Sequence, residues 1–284
     1  MVRVVLFGNT GLANGVFRSL IAHESIELCA VYTRKLPGDF PYYNEKELWQ
    51  LSEQNNIPTF FGLNVNSEHV IDNLYNLKPD YIIVSSFDQI VKETVINIAR
   101  YGIVNFHPSL LPQYRGPNPI SWVLINGEKM TGLTIHRLTK GIDSGDILYQ
   151  ETLEVEESDN LGSLYNKLSI LAELQSKKLV IDIASNGLPV GKPQEEKNMS
   201  YYAKSTNFKY IDLSVSAENI LNRIRAFQPF PKPILKIDDS DYLIVDVAFK
   251  DVRLDQEVGF SKDSDMFYFK NDEVLMEFVI SQIS

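Results

Sequence analysis

The chain has 284 residues, 44% of them hydrophobic and 23% charged, with a formal net charge of -10. That composition can build more core than one ordinary domain holds, and it excludes a disordered chain. The single cysteine, Cys29, excludes an internal disulfide framework; no cysteine–histidine cluster has zinc-site spacing, and the negative charge gives no general support for a nucleic-acid partner.

Val2 to Phe7 is apolar except for Arg3 and is bounded by Gly8, the pattern of a parallel strand buried on both faces. It is no signal peptide, and no apolar run approaches the roughly 20 residues that span a membrane, so a cytoplasmic protein is expected. The turn from Gly8 to Gly11 leads into a helix whose Val16, Phe17, Leu20 and Ile21 share one face. Glycines at 8, 11 and 15 miss the dinucleotide-binding spacing and lack a P-loop ending; they are read as permitting a tight strand-to-helix turn.

Ile26 to Thr33 reads as a second strand, with Cys29 as a small buried hydrophobe. A helix ends over Trp49 to Gln54, a short strand covers Ile57 to Phe60, and a helix over Val70 to Leu77 stops before Pro79. Strands follow at Tyr81 to Ser85 and Ile103 to Phe106. Thr134 to Arg137 and Ile147 to Leu153 flank the loop Lys140 to Asp146, and Leu164 to Ile181 is a long amphipathic helix. Leu188 to Asn198, polar with two prolines, reads as an exit from the first domain. A second unit starts near Ile211, with a helix from Ala217 to Phe227. Strands at Tyr242 to Phe249, Met266 to Lys270 and Val274 to Ile280 then fit a small antiparallel unit.

The expected fold is α/β: a Rossmann-like, mostly parallel sheet domain with helices on both faces over residues 1–200, then a small β-rich C-terminal domain over 201–284. In such sheets the ligand crevice lies outside the carboxyl ends of the strands. Three loops stand there: Gly8 to Gly11, Ser86 to Gln89 and His107 to Gly116.

Asn105 and His107 are two apart at a strand end, so their side chains point to the same side. The imidazole suits acid–base work near neutral pH, and the carboxamide can donate to a developing oxyanion. A hydrogen-bonded structural turn is the bland alternative. The loop Gly141-Ile142-Asp143-Ser144-Gly145-Asp146 can bring a carboxylate near His107, and sequence chemistry alone does not rank Asp143 against Asp146.

The run Asn105-Phe106-His107-Pro108-Ser109-Leu110-Leu111-Pro112-Gln113-Tyr114-Arg115-Gly116, with the later Asp143-Ser144-Gly145-Asp146, resembles the formyltransferases that use 10-formyltetrahydrofolate. Thr131 to His136 and Lys78 to Val84 resemble that family too. The similarity covers most of residues 1 to 190 and continues more weakly from Tyr201, through Arg225-Ala226-Phe227. It implies a catalytic trio of Asn105, His107 and Asp143. It also implies a cofactor pocket of Phe87, Gln89, Ile90 and Val91, completed by Thr139, Lys140, Gly141 and Ile142. Phe87 stands where many relatives carry tyrosine. The implied reaction is acyl transfer to a neutral amine, with Asn105 and a protonated His107 on the oxyanion, Asp143 orienting His107, and no metal.

Members of the family differ in acceptor: methionyl-tRNA, glycinamide ribonucleotide or a nucleotide-linked amino sugar. The extra domain disfavours the second. Tyr201 to Ser284 carries ten Lys and Arg against fourteen Asp and Glu, which suits tRNA poorly. The reading favoured is a sugar N-formyltransferase for a nucleotide-linked, by resemblance dTDP-linked, amino deoxy sugar. Surface polysaccharide synthesis is its implied destination and a homodimer its commonest assembly. Asn9, Thr10, Tyr114, Arg115, Asn118 and Trp122 are the acceptor-side candidates; Arg115 suits a phosphate or carboxylate, or a structural salt bridge. The alternatives are a methionyl-tRNA formyltransferase and a non-catalytic folate or nucleotide-sugar binding scaffold.

Overall fold

The computed structural model describes residues 1–9, 11–36, 46–203, 209–250, 259–260, 266–270 and 275–283. The first sheet comprises β1 (Val2–Gly8), β2 (Ile26–Thr33), β3 (Thr59–Phe61), β4 (Tyr81–Ser85), β5 (Ile103–His107), β6 (Met130–Arg137) and β7 (Ile147–Glu154). Between and after these strands run α1 (Leu12–Ile21), α2 (Leu48–Gln54), α3 (Glu68–Leu77), α4 (Glu93–Ile96), α5 (Pro119–Ile125) and α6 (Leu161–Ser185). The strand order is β3-β2-β1-β4-β5-β6-β7, parallel through β5 and antiparallel for the last two.

β1 shows why its sequence is continuously apolar. Val4 and Leu6 face α1 and α6 on one side, while Val5 and Phe7 face α3 and α4 on the other. Helix α1 lies between the sheet and α6, so nearly all of it is buried. A Cβ at Gly15 would come within 2.6 Å of Glu173 Cβ, and the Ser19 and Ser176 hydroxyls meet at 2.6 Å. Gly15 therefore serves helix contact and not the preceding turn, which uses Gly11 at φ 103. Burial pushes the Cys29 thiol up to about 11, consistent with a packing role.

Boundaries differ from the sequence expectation where local chemistry was misread. Helix α6 starts at Leu161 because Asn160 and Ser163 form a reciprocal cap, a turn earlier than its apolar periodicity suggests. β6 starts at Met130, and α4 and α5 were not anticipated.

The second sheet holds β8 (Tyr210–Ile211), β9 (Ile234–Ile237), β10 (Ser240–Lys250), β11 (Gly259–Phe260), β12 (Met266–Lys270) and β13 (Leu275–Gln282), in the order β11-β12-β13-β10-β9-β8. It is mixed and not wholly antiparallel. α7 (Ala217–Arg225) forms the crossover between β8 and β9, which pair parallel as such connections require. Val274 lies outside the described residues. Among the described residues, no helix is long and apolar enough to cross a membrane.

Candidate active site

In the β5–β6 ladder Asn105 stands opposite His136 and His107 opposite Thr134. Strand alternation puts Asn105 and His107 on one face, and cross-strand pairing brings His136 alongside Asn105. The loop after β6 delivers Asp143 to the same place. Its Oδ2 lies 3.7 Å from His107 Nδ1 and accepts from the Gly116 amide at 2.9 Å. Its Oδ1 lies 3.5 Å from His136 Nε2 and 3.4 Å from Asn105 Nδ2. Asp146 is outside this cluster, its side chain beside Gly191.

Two backbone carbonyls orient the imidazoles. His107 Nε2 lies 2.8 Å from the Tyr114 oxygen and His136 Nδ1 lies 2.9 Å from the Arg137 oxygen. A carbonyl can only accept, so each ring donates there. In the neutral rings, the open nitrogens are His107 Nδ1, facing Asp143, and His136 Nε2, within 3.2 Å of Asn105 Nδ2. That contact turns the Asn105 NH₂ group toward the imidazoles. One of its N–H bonds is held by His136. The other has only the long Asp143 contact and can turn to a stronger acceptor.

Burial pushes the His107 imidazole below its ordinary value, against the opposing pull of Asp143. Burial pushes the Asp143 carboxyl up, but the imidazoles, His107 first, and the Gly116 N–H outweigh it and hold it well below the usual carboxylate range. Near neutrality the carboxylate is ionised and His107 is neutral, where the sequence reading expected a protonated ring. At 4% exposure the ring has little water to support a charge.

Tyr114, Asn118 and Asp143 all have left-handed backbone, at φ 61, 58 and 47. Asparagine and aspartate tolerate that region, whereas Tyr114 stores strain there that the surroundings must hold. Gly116, at φ 94, is part of that hold: a Cβ would meet the Tyr202 oxygen at 2.7 Å and Tyr201 Cε2 at 2.8 Å. Gly116→Ala is expected to destabilise the fold by about 1–3 kcal/mol, read by denaturant unfolding; stability equal to the wild type would show that this packing tolerates a methyl group.

The other anticipated residues divide. The Gln89 side chain is committed, accepting from the Val65 amide at 3.0 Å and donating to the Leu63 oxygen at 2.8 Å. Phe87 packs on Phe7, and Val91 is buried. Ile90 and Ile142 are 75% and 48% exposed, one on each of two neighbouring loops, and Lys140 pairs with Glu93 at 3.8 Å between them. Thr139 and Gly141 are exposed on the second loop. On the acceptor side, Asn9 is buried with its Oδ1 unpartnered among the described residues, and its amide reaches Asp88 at 3.4 Å. Asn118 is exposed, and Thr10 lies outside the described residues.

Tyr114 and Trp122 are not turned toward the trio. Both rings stack on Tyr202, at centroid distances of 5.3 and 4.4 Å, and the Tyr114 hydroxyl donates to Glu128. Three aromatic rings bury more apolar area together than either would facing a wet crevice. Arg115 is 7% exposed, its Nε and Nη2 on Gln194 Oε1 at 3.1 and 2.7 Å. His136 and Gln194 were both missed as site residues, although His136 ends the stretch Thr131 to His136 that resembles the family.

A cavity of about 540 Å³, lined by Val2, Tyr81, Tyr101 and Arg137 among others, opens at the opposite ends of the strands. The trio sits where parallel sheets place their ligands, and that cavity does not.

Fold and geometry together define a class: an α/β protein with a carboxylate, two imidazoles and a carboxamide donor converging at the carboxyl end of its sheet. A formyl transferase family model matches residues 44–180, and a model of the formyl transferase C-terminal domain matches residues 204–274. The chain is 32% identical over 230 residues to methionyl-tRNA formyltransferase of Ehrlichia ruminantium (strain Gardel), covering 80% of this chain and 75% of that one. It therefore belongs to the formyl transferase family. It is also 38% identical over 194 residues to the bifunctional polymyxin resistance protein ArnA of Wigglesworthia glossinidia brevipalpis, covering 68% of this chain but only 30% of ArnA.

Solved structures that match along the whole chain include two N-formyltransferases. WlaRD, a sugar 3N-formyl transferase solved with dTDP and 5-N-formyl-THF, gives a TM-score of 0.72 at 22% identity, covering 100% of this chain and 98% of WlaRD. The Helicobacter canadensis N-formyltransferase, solved with folinic acid and dTDP-3-aminofucose, gives 0.74 at 21% identity, covering 99% of this chain and 100% of that one. At that identity the likeness is one of fold.

Proposed function

We propose that the chain transfers a formyl group from 10-formyltetrahydrofolate to the amino group of a dTDP-linked amino deoxy sugar. The convergence of Asn105 and His107 on Asp143 at the end of β5, in a chain of this family, carries the reading.

The two loops carrying Ile90 and Ile142 suit a flat, partly apolar heterocycle. Their apolar side chains are exposed, while Gln89 holds the first loop so that its backbone groups can face a ligand. Phe87, Gln89, Ile90 and Val91, with Thr139 to Ile142, would hold the folate. When bound, the folate supplies the formyl carbon as an activated amide. The second Asn105 N–H then turns to the formyl oxygen as charge develops on it. His107 Nδ1, neutral and open, would take the proton that the attacking amine releases, Asp143 would stabilise the imidazolium formed, and that proton would pass to the folate nitrogen as its bond to the formyl carbon breaks and tetrahydrofolate leaves. No step needs the Tyr114 carbonyl to let go of Nε2.

Arg115 supports a phosphate-bearing acceptor: it is nearly buried and has no carboxylate partner among the described residues. The Asn9 Oδ1 offers an acceptor for an amine or hydroxyl hydrogen. The whole-length likeness to dTDP-sugar enzymes and the acidic 201–284 segment favour a sugar over tRNA. The sequence likeness to the Ehrlichia tRNA enzyme favours the second reading, methionyl-tRNA formylation. We also take residues 1–200 as catalytic and 201–284 as an appended domain, in a cytoplasmic homodimer whose mass sedimentation would give.

The deciding assay offers 10-formyltetrahydrofolate with dTDP- and UDP-linked 3- and 4-amino sugars and, separately, charged initiator tRNA. One sugar formylated with tRNA inert is expected. Efficient tRNA formylation would move the chain to translation initiation.

A further inference from the structure

The segment after α6 was read as an exit from the domain, yet it closes both catalytic loops. Lys192 pairs with Ile147 through two backbone hydrogen bonds of 2.8 Å. The Arg115 amide donates to the Ser200 oxygen at 3.0 Å, and the Tyr114 amide donates to Ser200 Oγ at 2.8 Å. Between these anchors stands Gln194. Its Oε1 accepts from Arg115 Nε and Nη2, and its Nε2 donates to the Asp143 oxygen at 2.8 Å and the Gly145 oxygen at 2.7 Å.

Those four hydrogen bonds use the full capacity of a primary amide, two lone pairs and two N–H groups. The orientation is fixed, because a guanidinium only donates and a carbonyl only accepts. No other side chain of that length reproduces the set: glutamate lacks the donors and methionine lacks everything. The residue joins the buried Arg115 guanidinium to the left-handed backbone that presents the Asp143 carboxylate.

We propose that Gln194 is a positioning residue that sets the Asp143 carboxylate against His107 and ties it to Arg115, so that acceptor anchoring and proton transfer depend on one side chain. The inference rests on the function proposed above for the role of Arg115, and on geometry alone for the hold on Asp143. Without the two donations, the Asp143 peptide is released to relax from φ 47 and the carboxylate withdraws from His107. The charged and titratable groups facing His107 are Asp143 and His136. Losing the carboxylate's pull therefore makes the ring harder to protonate.

Two variants separate the parts. Gln194→Met keeps length and removes all four bonds; Gln194→Glu keeps the partner of Arg115 and removes both donations. The chain has four histidines, so the His107 ring can be followed by NMR against a His107→Asn reference, with no acceptor present. Both variants are expected to move the His107 titration to lower pH, toward that of Asp143→Asn. Both should also lower kcat by about 10–100-fold, as an ångström-scale misplacement does, with the sugar KM raised in the Met variant by a loosened Arg115 and in the Glu variant by the carboxylate that occupies it. A strap that only stabilises would lower Tm and leave the His107 titration at its wild-type position; that result in either folded variant overturns the proposal. Should the Met variant fail to fold, the Glu variant decides. If the wild type turns over no amino sugar, the proposed function fails, and the His107 titration still decides on Gln194.

Discussion

Asp143→Asn is expected to lower kcat by about 10²–10⁴-fold, the usual span for losing one partner of a positioned acid–base pair. The substitution is nearly isosteric. The side-chain oxygen can still accept from the Gly116 amide, so the loop keeps its place. What disappears is the negative charge that stabilises His107 once it has taken the amine proton. Two pH effects should follow. The limb on which His107 must be neutral lies below the ordinary imidazole value in the wild type and should move lower still in the variant. Stability should change in the opposite pH range. A carboxyl held low in the folded state contributes stability that is present above the unfolded value, about 3.9 for Asp, and is lost as the pH falls through the folded one. The wild type should therefore unfold at higher denaturant than the variant at neutral pH, and the difference should shrink in acid. A variant with wild-type kcat would remove Asp143 from the chemistry.

Asn105→Ala is expected to cost about 10²–10³-fold in kcat, as loss of one oxyanion donor does, with the KM for each substrate little changed. Asn105 is part-buried, and its removal leaves His136 Nε2 without its amide partner, so some loss of stability should accompany the kinetic effect. Asn105→Asp is the sharper companion. It keeps the shape but offers an acceptor where the formyl oxygen gathers charge, and it adds a second carboxylate beside Asp143. Stopped-flow formyl transfer, with unfolding measured alongside, separates a lost donor from a damaged fold; turnover near wild type in Asn105→Ala would remove the oxyanion role.

The parts of the fold that could be read from the sequence are those governed by burial along a continuous stretch. β1, β2 and β4 are buried on both faces and announce themselves as apolar runs. Asn105 and His107 were legible as a pair because strand alternation alone fixes their common side. His136 was not, because its partnership with Asn105 depends on the β5–β6 register, which no local pattern specifies. Tyr114 and Trp122 looked like ligand contacts because the ring that covers them, Tyr202, belongs to a distant part of the chain. β9 was hidden behind Pro231 and Pro233, and its tight turn into β10 uses Asp238 at φ 51, a conformation aspartate tolerates. The choice between Asp143 and Asp146 needed three dimensions, since both stand in one glycine-rich loop and only one reaches the imidazoles.

The closing segment around Gln194 also sets an order of assembly. By the time synthesis reaches Glu154, every strand of the first sheet and all three residues of the trio exist as chain. Tyr114, Arg115 and Asp143 still lack the groups that hold their peptides, which arrive only with residues 192 to 202. The trio is thus complete as sequence well before the segment that sets its backbone has been made.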